Sequence, residues 1–158
     1  MTASFEEISV QAEDFDLAAE TRALGAAGDG GYPGAVVTFT GLVRDMASGQ
    51  NITAMTLEHY PGMTEKELAR IRQEAMDRWP ITKAVIIHRI GRLEAGAQIV
   101  FVGCASPHRD AAFEAARFIM DFLKTDAPFW KAEEKNGEIA WVDARDSDAR
   151  AKLRWQQE

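Results

Sequence analysis

The chain has 158 residues, a formal charge of −7, 46% hydrophobic and 27% charged residues, the proportions of a soluble globular domain with one core. It has no run of about 18 apolar residues, which excludes a membrane-spanning helix, and MTASFEEISVQAEDFD at its start lacks the basic-then-apolar order of a signal peptide. The acidic balance excludes a general nucleic-acid binder, and a lone cysteine, Cys104, cannot form an internal disulfide, which points to a reducing cytoplasm.

A short helix is predicted near residues 13–24, followed by a loop over GAAGDGGYPG, whose spacing matches neither a Walker lysine nor a dinucleotide fingerprint. GAVVTFTGLVR (34–44) is rich in β-branched residues and reads as a strand. DMASGQN then turns the chain into a second strand, ITAMTLEHY, where Thr53, Met55 and Leu57 share a face. MTEKELARIRQEAMDRWP is a helix. Thr64 and Glu67 are its expected capping box, Leu68, Ile71, Ala75, Met76 and Trp79 its apolar stripe, and Pro80 its stop. KAVIIHRIG and AQIVFVGCA are strands joined by RLEAG. The next helix is expected to open with Ser106 as cap and Pro107 in first position. Asp110, Glu114, Arg117, Asp121 and Lys124 recur as its polar face, beside an apolar stripe of Phe113, Ala116, Met120 and Leu123. Asn136-Gly137 is a hairpin turn into EIAWVD. The polar tail over 146–158 carries one tryptophan, and helical and mobile forms are both open for it. The order predicts an α+β fold in one domain, 1–158, with a mixed or antiparallel sheet and two main helices packed on it.

The chemistry gathers at the second of these helices. Pro128 stops it and turns the chain within TDAPFW, carrying Phe129 and Trp130 into apolar contact. Lys124 and Lys131, on either side of that corner, can then converge, and two ammonium groups brought together lower the pKa of one. Such a lysine suits a nucleophile or a general base. A solvated lysine beside Asp121 is the plainer reading of Lys124. His108 and Arg109 at the other end, with free backbone N–H groups, form an anion site. His59, His88 and His108 have no metal-ligand spacing. His88 and Arg89, at a strand end, read as structural, and Cys104 as a buried, inert thiol. Glu58 and His59 read as a corner turned by Pro61 and Gly62 rather than an acid–base pair. Of the four tryptophans only Trp130 is placed near the site.

Taken in order, GAVVTFTGLVR, LEHYPGMTEKELA, RWP, VIIHRIGRL, IVFVGCASPHRDAAFEA, FIMDFLKTDAPFWKAE and WVDAR resemble the large, catalytic subunits of molybdopterin synthase, the MoaE family. The resemblance implies an α/β-hammerhead-type domain with a small β-subdomain. It implies sulfur transfer to cyclic pyranopterin monophosphate, forming the dithiolene of molybdopterin. It further implies a central homodimer and a small ubiquitin-like carrier whose C-terminal Gly-Gly thiocarboxylate brings the sulfur. No metal and no resident cofactor are implied, since the sulfur arrives reduced. By the same resemblance Lys124 and Lys131 are catalytic. Leu42, Val43, Arg44, His108, Arg109, Lys124, Lys131, Ala132, Glu133 and Arg145 contact substrate. Leu42 and Ala132 stand where relatives can carry basic residues.

His108 and Lys124 lie 16 residues apart on one predicted helix, about 24 Å along its axis. A two-fold dimer in which each copy completes the other's site reconciles that distance with one small substrate. Two other classes stay open on the residues alone: a non-catalytic module that binds an anionic ligand, and a sulfurtransferase working through Cys104.

Overall fold

The computed structural model describes residues 7–47, 49–142 and 146–156. Its elements are β1 (Ile8–Gln11), α1 (Leu17–Gly25), β2 (Ala35–Leu42), β3 (Met46–Ala47), β4 (Gln50–Asn51), β5 (Ala54–His59) and α2 (Met63–Arg78). There follow β6 (Lys83–Arg89), β7 (Gly91–Glu94), β8 (Gln98–Ser106), α3 (Arg109–Thr125), β9 (Phe129–Lys135), β10 (Glu138–Val142) and α4 (Asp146–Leu153). Two four-stranded sheets carry the structure, ordered β1-β6-β8-β2 and β10-β9-β5-β7, with β3 and β4 as a small ribbon. The first sheet is mixed, because β1 runs parallel to β6, and the second is antiparallel. This is the α+β architecture expected.

Alternation along the first sheet separates two cores. Ile86, Val102 and Cys104 face one way, toward α2 and α3, and meet Leu68, Phe118 and Ile119. Val85, Ile87, Phe101 and Ala105 face the other way and meet Phe15 and Leu24 of the α1 region. The second sheet has its own small core of Met55, Leu57, Leu93 and Val43.

Several expectations change in detail. RLEAG is no mere connector: Gly91–Glu94 pairs with β5 as the edge of the second sheet, so the chain changes sheets between β6 and β8. The cap of α2 is Gly62, whose N–H donates to Glu65 Oε2 at 2.6 Å. Thr64 is not half of a box with Glu67, which pairs with Arg70. Helix α3 begins later than Pro107, with His108 at the cap position; Ser106 ends β8, donates to the Pro80 carbonyl and accepts the His108 N–H. Phe113 is exposed, because the buried stripe of α3 runs through Ala112, Ala115, Phe118, Ile119 and Phe122. The polar tail is helical where described, and Trp155 is buried edge-on to Trp79 and Phe118. Asn136 and Gly137 both have positive φ, 52° and 81°, as a two-residue primed hairpin turn requires.

Thr64 ties the start of α2 to the corner after α3. Its hydroxyl donates to the Pro128 carbonyl at 2.9 Å and accepts the Tyr60 N–H at 2.9 Å. The residue is fully buried, so removing the hydroxyl strands a donor and an acceptor. Thr64→Val, nearly isosteric, is expected to lower unfolding stability by about 1–3 kcal/mol, read from urea denaturation at neutral pH.

Candidate active site

The second sheet is folded so that one face looks back at α3. In the antiparallel register Leu57 lies opposite Lys131, Met55 opposite Glu133 and His59 opposite Phe129. Residues directly opposite share a face, so Lys131, Glu133 and Phe129 stand with Met55 and Leu57. The first sheet contributes the end of β2. There a bulge between Gly41 and Leu42 breaks the pairing with β8. A Cβ on Gly41 would lie 2.7 Å from Val100 Cγ1, so a larger residue there would force Val100 to shift. Past the bulge the chain crosses toward the second sheet, where the Val43 N–H donates to the Ala97 carbonyl and the Gly96 N–H to the Val43 carbonyl.

Between these parts lies a cavity of about 500 Å³ whose lining includes Leu42, Arg44, His88, Lys124, Lys131 and Glu133. Met55, Leu57, Leu123 and Phe39 form its apolar walls. A smaller space against the same lysines is closed by Ala127, Phe129 and Val142. The convergence of Lys124 and Lys131 follows from the corner between them. Asp126 receives Lys152 at 2.6 Å and Arg70 at 3.2 Å, while Thr64 holds Pro128. The chain therefore reverses in a fixed place, and β9 returns Lys131 to the side where Lys124 ends α3. The carboxylate of Asp121 accepts the Trp155 indole N–H at 2.7 Å.

The other expected site residues divide. Leu42, Arg44 and Glu133 line the lysine cavity, and Glu133, almost buried, lies 3.7 Å from Lys135. Val43 is buried and lines an adjoining hollow with Leu42 and Arg44. Ala132 is buried on the opposite face of β9. His108 and Arg109 are exposed at the far end of α3 and do not reach the cavity. Arg145 lies outside the described residues. Trp130 is half exposed and, by strand alternation, points away from the site; only Phe129 makes the expected apolar contact.

Arg89 is structural as expected, holding the Ala12 and Gln98 carbonyls. His88 is not only that. Strand alternation puts it on the α3 side of β6, in the cavity wall and almost fully buried. A histidine among Val-Ile-Ile on a buried strand was the signal available in the sequence. Burial foremost, with the charges of Lys124 and His59, pushes its imidazole down to about 4, against the raising effect of the Arg89 carbonyl. Cys104, on β8, lies on the same face of the first sheet but is closed to solvent, and burial pushes its thiol up to about 12. It holds no thiolate at neutral pH, which removes the physical basis of a Cys104 sulfurtransferase.

The depressed imidazole carries a pH signature. Above pH 6.5 the ring is neutral folded and unfolded; below it the unfolded chain takes up the proton first. Stability therefore falls as pH drops from 6.5 toward 4, by up to about 3 kcal/mol. His88→Phe is expected to flatten that part of the profile, seen by comparing urea unfolding of both proteins at pH 7 and pH 4.5.

Comparison with known proteins fits this geometry. The family model described as "MoaE protein" matches residues 10–126. A molybdopterin synthase catalytic subunit of Vibrio cholerae is 54% identical over 149 residues, covering 94% of this chain and 97% of the relative. That of Escherichia coli is 59% identical over 122 residues, 77% of this chain and 81% of its own. Among solved structures, a molybdopterin biosynthesis MoaE protein from Burkholderia ambifaria superposes with a TM-score of 0.80 at 48% identity, covering 96% of this chain and 98% of that one. A molybdopterin synthase from Staphylococcus aureus gives 0.80 at 31% identity, over 89% and 99%. On fold, sequence and extent of match, the chain belongs to the MoaE family.

Proposed function

We propose that the chain is the catalytic subunit of a molybdopterin synthase, transferring sulfur from the thiocarboxylate of a small carrier protein to cyclic pyranopterin monophosphate. The observation that carries the reading is the convergence of Arg44, Lys124 and Lys131 on one cavity with apolar walls. Both reactants are anions, a phosphate ester and a thiocarboxylate. Cations held in a partly dry pocket attract them and stabilise the charge that builds as the carbon–sulfur bond forms. Lys124 ends a helix, where its charge also suits the helix dipole. It is assigned the proton transfer at the sulfur-accepting carbon, and Lys131 and Arg44 the grip on the phosphate. The carrier's Gly-Gly end, without side chains, is suited to thread a narrow opening between the two sheets.

His108 and Arg109 enter this reading through a second copy of the chain. Helix α3 is 17 residues long and places them about 24 Å from Lys124. In a two-fold dimer the His108 and Arg109 of one copy serve the lysine cavity of the other. The non-catalytic binding module needs the charges but not the amine. Lys124→Arg separates the two, since it keeps the cation and removes a readily shed proton. The proposed working place is the cytoplasm; among the described residues no helix is long and apolar enough to cross a membrane.

The test is reconstitution with a thiocarboxylated carrier and the cyclic pyranopterin, scoring dithiolene product. Lys124→Ala is expected to abolish product while melting like the parent, because the side chain is exposed at a helix end. Lys131→Ala is expected to leave a residue of turnover, and Arg44→Ala to raise KM with little change in kcat. No product from the parent protein with a competent carrier would refute the assignment.

Shared sites predict complementation. A mixed dimer of a His108→Ala chain and a Lys124→Ala chain has one site with both lesions and one intact, so up to half the parent activity per mixed dimer is expected. Absence of recovery would mean that each chain builds its site alone.

A further inference from the structure

Arg44, Lys124 and Lys131 give the lysine cavity cations that suit a phosphate. A pterin ring also brings N–H groups, and a cation cannot accept them. The oxygen and nitrogen acceptors among the lining side chains belong to Thr40, Glu133 and His88, and Glu133 already lies beside Lys135. Two contacts fix the His88 ring. Its Nδ1 lies 2.9 Å from the Arg89 carbonyl oxygen. A carbonyl only accepts, so in the neutral ring Nδ1 carries the hydrogen and Nε2 the lone pair. One face of the ring lies on Phe129, centroids 3.8 Å apart and planes 17° from parallel. The residue is only 6% exposed, yet Nε2 has no hydrogen-bond partner among the described residues. No fully enclosed side-chain nitrogen or oxygen among those residues lacks a partner. Nε2 therefore faces open space, and the spaces that His88 lines are the lysine cavity and the smaller one beside it.

We propose that His88 recognises the reduced form of the substrate's pterin ring, its Nε2 accepting an N–H of the middle ring. The inference rests on the reading of this cavity as the pterin site. Fusion to a pyran makes the shared carbons of the middle ring tetrahedral, so both nitrogens of that ring carry hydrogen. Oxidation to the aromatic pterin removes those hydrogens and leaves lone pairs in their place. A fixed acceptor therefore meets a donor in the reduced form and a second acceptor in the oxidised form. Leaving a buried acceptor unpaired is costly, so the site discriminates by the hydrogen rather than by shape, which the two forms nearly share. The backbone bond to Arg89 prevents the ring from presenting its N–H instead. Burial also holds the imidazole down at about 4, so at neutral pH Nε2 keeps its lone pair. The stack on Phe129 keeps that lone pair from swinging to suit either form.

The test is binding without turnover, by calorimetry under argon, of cyclic pyranopterin monophosphate and of its oxidised, aromatic form to the full chain. The parent is expected to hold the reduced form about 10-fold more tightly, the scale of one hydrogen bond made or left unmade. His88→Phe keeps an aromatic ring on Phe129 and has no acceptor. It should weaken the reduced form by about that factor and leave the oxidised form near its parent affinity, so the preference disappears. His88→Gln, with an amide oxygen near Nε2, should restore part of it. A second readout needs no change at His88. With ¹⁵N-labelled histidine, the His88 signals are found by elimination against His59→Gln and His108→Gln. The His88 Nε2 resonance should move when the reduced form binds and stay when the oxidised form binds, with Nδ1 protonated throughout. A parent-like preference in His88→Phe would overturn the proposal. So would an Nε2 resonance unmoved at saturation with the reduced form, or one that answers only a peptide ending in Gly-Gly. If the parent binds neither form, the pterin reading of the cavity fails and takes this inference with it. Binding of the reduced form without the Nε2 response fails His88 alone.

Discussion

The stop at Pro128 governs the site. A helix that ran on past Asp126 would carry residue 131 away along its axis, on the order of 10 Å from Lys124. Proline prevents that continuation, and the buried Thr64 hydroxyl, bonded to the proline carbonyl, decides where the reversed chain goes. The second sheet then takes its register from β9, so Lys131, Glu133 and Phe129 follow from one corner. Asp126, held by Arg70 and Lys152, restrains the same corner from the solvent side.

That corner brings two of the cavity's three cations, Lys124 and Lys131, together. Arg44 arrives by a different route, through the bulge at Gly41 and the crossing of the chain from one sheet to the other. Each cation therefore comes from a different element: Lys124 from the end of α3, Lys131 from β9 and Arg44 from the segment just beyond β2. Such preorganised charge is what stabilises a developing anion without reorganisation at the moment of reaction.

The architecture was legible where periodicity is strong. β2, β5, β6, β8 and the two long helices fall where alternation and the apolar stripes place them. The misses have local causes. RLEAG reads as a connector because five residues are too few to show a period, and only the pairing of Gly91–Glu94 with β5 makes a strand there. Thr64 has the composition of a cap, but its hydroxyl serves a contact 64 residues away that no local pattern encodes. Phe113 shows that an aromatic at helical spacing need not be core when alanines let a sheet approach the neighbouring stripe. Lys124 and Lys131, read from the corner at Pro128, and Arg44, implied by the family resemblance, line one cavity. His88 was passed over because a lone histidine in a strand is usually a packing residue. Its place in the cavity wall emerges only once the second sheet closes over the first.

Trp155 has a consequence for how the chain is made. It fills the space between Trp79 and Phe118 and hydrogen-bonds Asp121, so the largest core is sealed by a residue that emerges from the ribosome well after the groups it covers. Until then a nascent chain with both long helices already formed leaves the flank of Phe118 uncovered, an apolar surface of the kind that draws chaperones or neighbouring chains.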